Sequence, residues 1–305
     1  MAISQQLIKL VSQGDLTALA ELDARGIFCA DSETATDFAQ RIQLLNEKNQ
    51  ALAEALSADG SADIEDVTIQ QQDMIPAKLF QEPQEITQAL YRFKVDWVSG
   101  FFVDPAYSLL FGGCAYYFYP DFFALFIIRK SFREKARWLF YQRSELLAHE
   151  LCHVARVSFA AQIYEEIFAY QTATTAFRRF FGGIFRSPRD SFLFLGVSGL
   201  LLINQIGKAF LFPNLPSWPF WCLLVFTFAW LLARHCRVMQ TLRRARKTIT
   251  CLFPEADSLP VLFRCNDNEI RDLASLHNPQ EAQTWLENRK NSSLRWRITC
   301  FRFQK

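Results

Sequence analysis

Over the first sixty residues, apolar positions recur at helical spacing. Residues 3–11 predict a short amphipathic helix, and Asp15 stands where its side chain can accept free amides at the start of a second helix over 16–23. From 34 to 56, Phe38, Ile42, Leu45, Leu52 and Leu56 fall close to the 3.6-residue period, with Gln, Glu, Asn and Lys on the opposite face. This pattern predicts a packed helical hairpin. The polar, glycine-containing stretch 57–66 breaks it and marks a boundary. Residues 67–74 then read as strand and 86–93 as a short helix. Gly112 and Gly113 mark a turn or a close backbone approach. The run 122–132 is apolar before it turns basic at Arg129 and Lys130. It predicts a buried strand, at a sheet edge or in the core, or a segment dipping into a membrane. Residues 135–157 predict a helix that buries Leu146, Leu147, Leu151 and Val154 and carries Glu145, His149, His153 and Arg156 on another face.

Two apolar stretches follow, 192–212 and 218–233, joined by Pro213-Asn214-Leu215-Pro216-Ser217. Each reaches across a bilayer if Lys208 extends to the interface, and Trp218 and Trp221 suit that boundary. Arg178, Arg179, Arg186 and Arg189 precede the pair. Arg234, Arg237, Arg243, Arg244, Arg246 and Lys247 follow it, while the turn between carries almost no charge. The positive-inside rule therefore predicts a two-span protein with both ends cytoplasmic. In the tail, 267–274 and 279–288 predict helices. The alternating basic and apolar residues 294–303 predict a strand with a solvated face.

The chemistry concentrates in one phrase, His149-Glu150-Leu151-Cys152-His153. Four residues apart on a helix, the two imidazoles share a face and can close on one metal ion. Zinc takes neutral imidazole, needs a third protein ligand, and leaves a position for water in catalytic sites. Glu150 is placed to accept a proton from such a water and return it to a leaving amine. The two remaining histidines, His235 and His277, are isolated, so the third ligand is expected to be a carboxylate. A helix-turn-helix folding near Phe159 would set Glu166 level with His153, with Glu165 as the alternative. Glu145 is placed to hydrogen-bond an imidazole. Arg156 is placed to pair with Glu165, Glu166 or a substrate carboxylate. For both, a plain surface salt bridge is the simpler expectation. Cys152 reads as core packing. The oxyanion-stabilising group is unassigned, with Tyr164 and Tyr170 nearby.

The segment Glu166-Ile167-Phe168-Ala169-Tyr170 resembles the E-x-x-A-[DY] phrase of gluzincin-type zinc metallopeptidases. Together with the H-E-x-x-H helix it gives about thirty residues of likeness to that family. The same stretch is similar to a group of uncharacterised membrane-attached bacterial proteins that share H-E-L-x-H-x-x-R and E-E-I-x-A-Y. The resemblance implies zinc on His149, His153 and Glu166, Glu150 as general base, and a zincin-like α+β domain. In that family a sheet precedes the helix, and its edge strand, for which 122–132 is the candidate here, pairs with an extended peptide. The interval from His153 to Glu166 is shorter than in many gluzincins. A metzincin is excluded, because Ala155-Arg156-Val157-Ser158-Phe159 lacks that class's Gly and His. Charges around the motif and the lack of an L-D-G segment argue against an intramembrane protease.

Composition changes the picture in two ways. Thirty phenylalanines among 305 residues, with half the chain apolar, favour membrane contact, and a net charge of +2 gives no argument for nucleic acid. The eight cysteines lack C-x-x-C spacing and read as reduced thiols, mostly buried, and the N-terminal stretch has no apolar signal core. The expected organisation is a helical region over 1–60, a zincin-like domain over 61–185, a transmembrane hairpin over 186–237 and a small α+β cytosolic module over 238–305. The expected function is that of a membrane-anchored zinc metallopeptidase acting on a peptide or protein. A non-catalytic membrane scaffold that keeps the same fold, and a soluble helical protein with a chance motif, are the rivals.

Overall fold

A computed structural model describes residues 3–64, 67–104, 112–118, 123–139, 141–159 and 161–304. The N-terminal helices α1 (Gln5–Ser12), α2 (Leu16–Ala24) and α3 (Ala35–Asp59) start where side chains satisfy free amides. Ser4, Asp15 and Thr34 accept from Leu7, Ala18 and Asp37 respectively. Helix α3 ends on Gly60 at φ 70°, the left-handed position glycine occupies at least cost, so the predicted break begins there. Strands β1 (Ser61–Ile64) and β2 (Val67–Gln70) form an antiparallel ribbon. The strand predicted over 67–74 stops at Gln70, where the chain turns into a short 3-10 segment. Helix α4 (Gln81–Tyr91) begins earlier than its predicted range.

The main sheet contains β3 (Ser99–Val103), β4 (Gly113–Phe118) and β5 (Phe123–Arg129) in the order β3-β5-β4. Strand β3 runs parallel to β5, and β4 antiparallel. The expectation of a substrate-binding edge at 122–132 is corrected, since β5 is the central strand. Every residue from Phe123 to Ile128 is buried, as a strand covered on both faces requires. Phe122 lies outside the described residues, and 130–132 form a 3-10 turn. Among the described residues the edges of this sheet are β3 and β4. The close approach expected at the glycine pair occurs at Gly113, where a Cβ would lie 2.9 Å from the Ile127 carbonyl oxygen.

A two-residue ribbon, β6 (Arg137–Trp138) with β7 (Tyr141–Gln142), delays the motif helix α5 to Arg143–Arg156. Two short helices follow, α6 (Glu165–Tyr170) and α7 (Ala176–Phe181). The helices α8 (Pro188–Phe210) and α9 (Trp218–Leu252) are long and apolar enough to cross a membrane. They pack on each other, yet Ile203, Phe210 and Phe226 are each about two-thirds exposed or more. The Arg234 guanidinium donates to the Asp190 carboxylate at 2.9 Å and clasps the open end of this hairpin. The boundary placed at 237–238 falls inside α9, which continues unbroken until Ala245, Ile249 and Leu252 are buried in the main core.

The tail is helical: α10 (Ser258–Phe263), α11 (Asp267–Ser275), α12 (Pro279–Ser292) and α13 (Leu294–Phe303). The predicted strand over 294–303 is thus a helix, and its arginines explain the error. Arg295 is buried against Glu269 at 3.0 Å, so a basic residue there does not mark a wet face. The expected α+β tail module accordingly contains helices only among its described residues. Helix α11 is capped by Asn266 with Glu269 closing the capping box, and Asp267 accepts the amides of Gln162 and Ile163.

One hydrophobic core draws on 1–60, 61–185 and 238–303 together. At its centre Tyr91, Phe93 and Phe263 stack, and Phe28 and Phe168 meet Phe263 edge-on. Beside them the buried Asp23 meets Arg264 at 2.8 Å and also pairs with Arg302. Burial alone would raise the Asp23 carboxyl, but the two guanidinium groups outweigh it and hold it below the usual value. Removing the charge strands buried cations, so Asp23→Asn should cost about 3–5 kcal/mol in equilibrium unfolding. Because the folded value is depressed, this contribution is complete above the unfolded carboxyl's pKa and lost as pH falls through the folded value. The unfolding midpoint should therefore drop on acidification, and less steeply in the variant.

Candidate metal centre

Helix α5 has one face against the core, with Leu147, Ala148, Leu151 and Cys152 all buried. Cys152 is thus a core residue. Its other side carries the motif. Nε2 of His149 and Nε2 of His153 stand 3.1 Å apart. Glu166, from the first turn of α6, places one carboxylate oxygen 3.5 Å from each of them, Oε2 towards His149 and Oε1 towards His153. Zinc bonds of about 2.0–2.1 Å in a tetrahedral shell require ligand atoms about 3.3 Å apart. The nitrogen pair is close to that edge, and with one atom taken from each residue the three lie within 4.8 Å of one another, so a single small cation fits once the carboxylate turns one oxygen inward.

Glu165 has a different position. Its Oε2 lies 3.4 Å from Nδ1 of His153, on the side of the ring away from the cluster, and its Oε1 accepts from Arg156 Nε at 2.7 Å. A carboxylate there holds the His153 ring with Nε2 turned towards the cluster. Burial alone would raise the Glu165 carboxyl, but Arg156 and His153 outweigh it and keep it low. For His153, burial acts to lower the imidazole, while the Glu165 hydrogen bond and surrounding carboxylates raise it to about 9. His149 lies well below its ordinary value, chiefly through burial and then through His153 and Arg178.

Arg156 is fully buried, which corrects the expectation of a surface salt bridge. Beyond Glu165 it donates to the carbonyls of Phe263 and Cys265, and its guanidinium lies 4.7 Å from the Phe168 ring centre. Glu145 is corrected as well. It is buried and accepts from the Thr174 amide at 2.8 Å, the Thr174 hydroxyl and the Arg178 guanidinium, so its bonds go to the α6–α7 connection and α7.

Glu150 is buried and faces a cavity of about 230 Å³ bordered by Gly113, His149, Glu166, Tyr170 and Arg178. Its Oε2 accepts the Ala115 amide at 3.0 Å, from the edge of β4 not paired with β5. Burial pushes its carboxyl up to about 7. The Tyr170 ring packs edge-on against His149, with centres 4.7 Å apart, and lines the cavity. Tyr164 is buried and does not contribute to that lining. Sequence reasoning missed Ala115, Tyr117 and Arg178. Burial raises the Tyr117 hydroxyl, and so do the nearby carboxylates of Glu150, Glu165 and Glu166. The alternation of β4 was the only available signal, and the short run 113–118 hid it. A larger cleft of about 470 Å³, bordered by Arg244, Lys247 and His277, contains none of these residues.

No family model, curated protein or solved structure matches this chain.

The two adjacent glutamates should separate in a zinc titration. Glu165→Gln keeps all three cluster atoms and should weaken affinity about 10–100-fold, the usual effect of removing an orienting partner. Glu166→Gln removes a cluster carboxylate and should lose more; equal losses would contradict the division of roles. Arg156→Met leaves Glu165 buried without its cation and should cost about 3–5 kcal/mol of stability in detergent.

Proposed function

We propose that this chain is a membrane-anchored zinc metallopeptidase with a cytosolic site. The reading is carried by the convergence of His149, His153 and Glu166, whose imidazole nitrogens stand 3.1 Å apart with a carboxylate oxygen of Glu166 3.5 Å from each, a donor set suited to zinc. Zinc in this position supplies a Lewis acid for a peptide carbonyl and makes water a stronger acid. Glu150 is the proton carrier. Its carboxyl shares the cavity with the cluster, within reach of a water held there. The Ala115 contact turns the outer edge of β4 towards Glu150, and an extended peptide can add to that edge through backbone hydrogen bonds. Tyr170, beside His149, is the candidate to support the developing oxyanion.

The hairpin α8–α9 supplies the anchor. Its length, its exposed apolar surface and its basic flanks support two spans with both ends cytoplasmic. The rival reading, a non-catalytic membrane scaffold retaining the metal, draws on the hydrogen bond that engages Glu150 with Ala115.

Detergent-purified protein should contain one zinc per chain, lost in His149→Ala. Glu150→Gln should keep the zinc and reduce hydrolysis of a peptide panel by about 10²–10⁴-fold. Stoichiometric zinc without any Glu150-dependent hydrolysis would favour the scaffold. A folded, unchelated protein that takes up no zinc would remove the enzyme.

A further inference from the structure

Exposed apolar side chains gathered in one place signal a partner. Outside α8, α9 and their turn, the two most exposed large apolar residues among those described are Phe177, at 68%, and Leu139, at 62%. Both stand beside the metal cavity. Phe177 precedes Arg178, and Leu139 lies at the tip of the β6–β7 ribbon next to the Trp138–Tyr141 pair; Arg178 and Tyr141 both line the cavity. Leu139 is also held at φ 49°, a left-handed conformation disfavoured for leucine. Two exposed apolar side chains thus lie within two residues of positions that line the cavity, one of them held against backbone preference.

The base of the hairpin indicates the occupant. The Phe180 ring, in α7, meets His235 of α9 edge-on at 5.2 Å. Gly183 sits between the two neighbouring helices, where a Cβ would lie 3.0 Å from Ile167 Cγ1 of α6 and 3.5 Å from His235 Cε1. His235 directly follows Arg234, which clasps Asp190 in the first turn of α8. The helix carrying Glu166 is therefore docked at the level where both apolar helices begin to expose their sides. Phe177 joins that base through Phe181, with ring centres 4.6 Å apart, and Phe181 meets Phe180 edge-on at 4.9 Å.

We propose that Phe177 and Leu139 seat the cavity rim on the bilayer surface entered by α8 and α9, so that the site takes polypeptide segments close to where they leave that bilayer. The seat rests on reading the hairpin as membrane-spanning, and the substrate class rests on the peptidase reading.

Full-length protein in vesicles of phosphatidylcholine and phosphatidylglycerol tests the seat without requiring activity. Phe177→Trp and Leu139→Trp each add an indole at an exposed position, where the fold tolerates it, and thermal midpoints equal to wild type check this. Brominated acyl chains should quench the emission added over wild type, and that emission should be blue-shifted. Water-like, unquenched emission at either position overturns the seat. For the substrate class, one cleavable peptide is tethered to an acyl chain in the same vesicles through a short or a long polar spacer. Hydrolysis should fall several-fold with the long spacer. Equal rates overturn the membrane-proximal preference and leave the peptidase reading standing. Absence of hydrolysis by zinc-loaded protein removes the peptidase reading and the substrate class together, and the seat is then decided by quenching alone.

Discussion

A guanidinium buried away from water must be neutralised, and Arg156 is paired and bonded through Nε and Nη1 at one junction. It joins the end of α5 to Glu165 at the start of α6, and both to the carbonyls of Phe263 and Cys265. The same carboxylate reaches His153. The orientation of an imidazole in the cluster is therefore set by a charge pair that also closes the core. Loss of that pair would disturb the centre and the fold together, because one carboxylate serves both.

What was legible in the sequence follows from how local the cause was. The motif helix, the helix cap at Asp15, and the two long apolar helices depend on neighbours along the chain. The cluster of His149, His153 and Glu166 also came within reach, since a short turn brings α5 and α6 together. Errors arose where a distant partner decides. Arg156 and Arg295 look like surface residues until the carboxylates and carbonyls that bury them are known. Glu145 shares a face with the histidines, but its partners Thr174 and Arg178 come from the far side of α6. Strand order in the sheet is equally non-local, so an apolar run such as β5 predicts burial but not its place between two neighbours.

The site and the apolar hairpin are mechanically one piece. Helix α9 runs from the exposed apolar surface into the core, and α6 rests against it through the Gly183 turn. On the other side, β4 comes to the cluster through Ala115. The cavity takes its lining from the start of β4, the motif helix and the stretch from α6 to α7, and that stretch rests on the base of the hairpin.

The Asp23 pair has a consequence for the order in which the molecule is made. Its partners Arg264 and Arg302 lie 241 and 279 residues further along. While the ribosome is still adding the middle of the chain, Asp23 is an acid without its cations, and the faces of α2 and α4 that later pack on α13 and α10 stay uncovered. The helical hairpin is complete before those cations are synthesised. Once its two arms have paired, the loop separating the chain halves is effectively shorter, which lowers the entropic cost of bringing them together. Helices α10 and α13 therefore act as a latch, and a nascent chain arrested before Arg264 would leave its N-terminal helices open to chaperones or proteases.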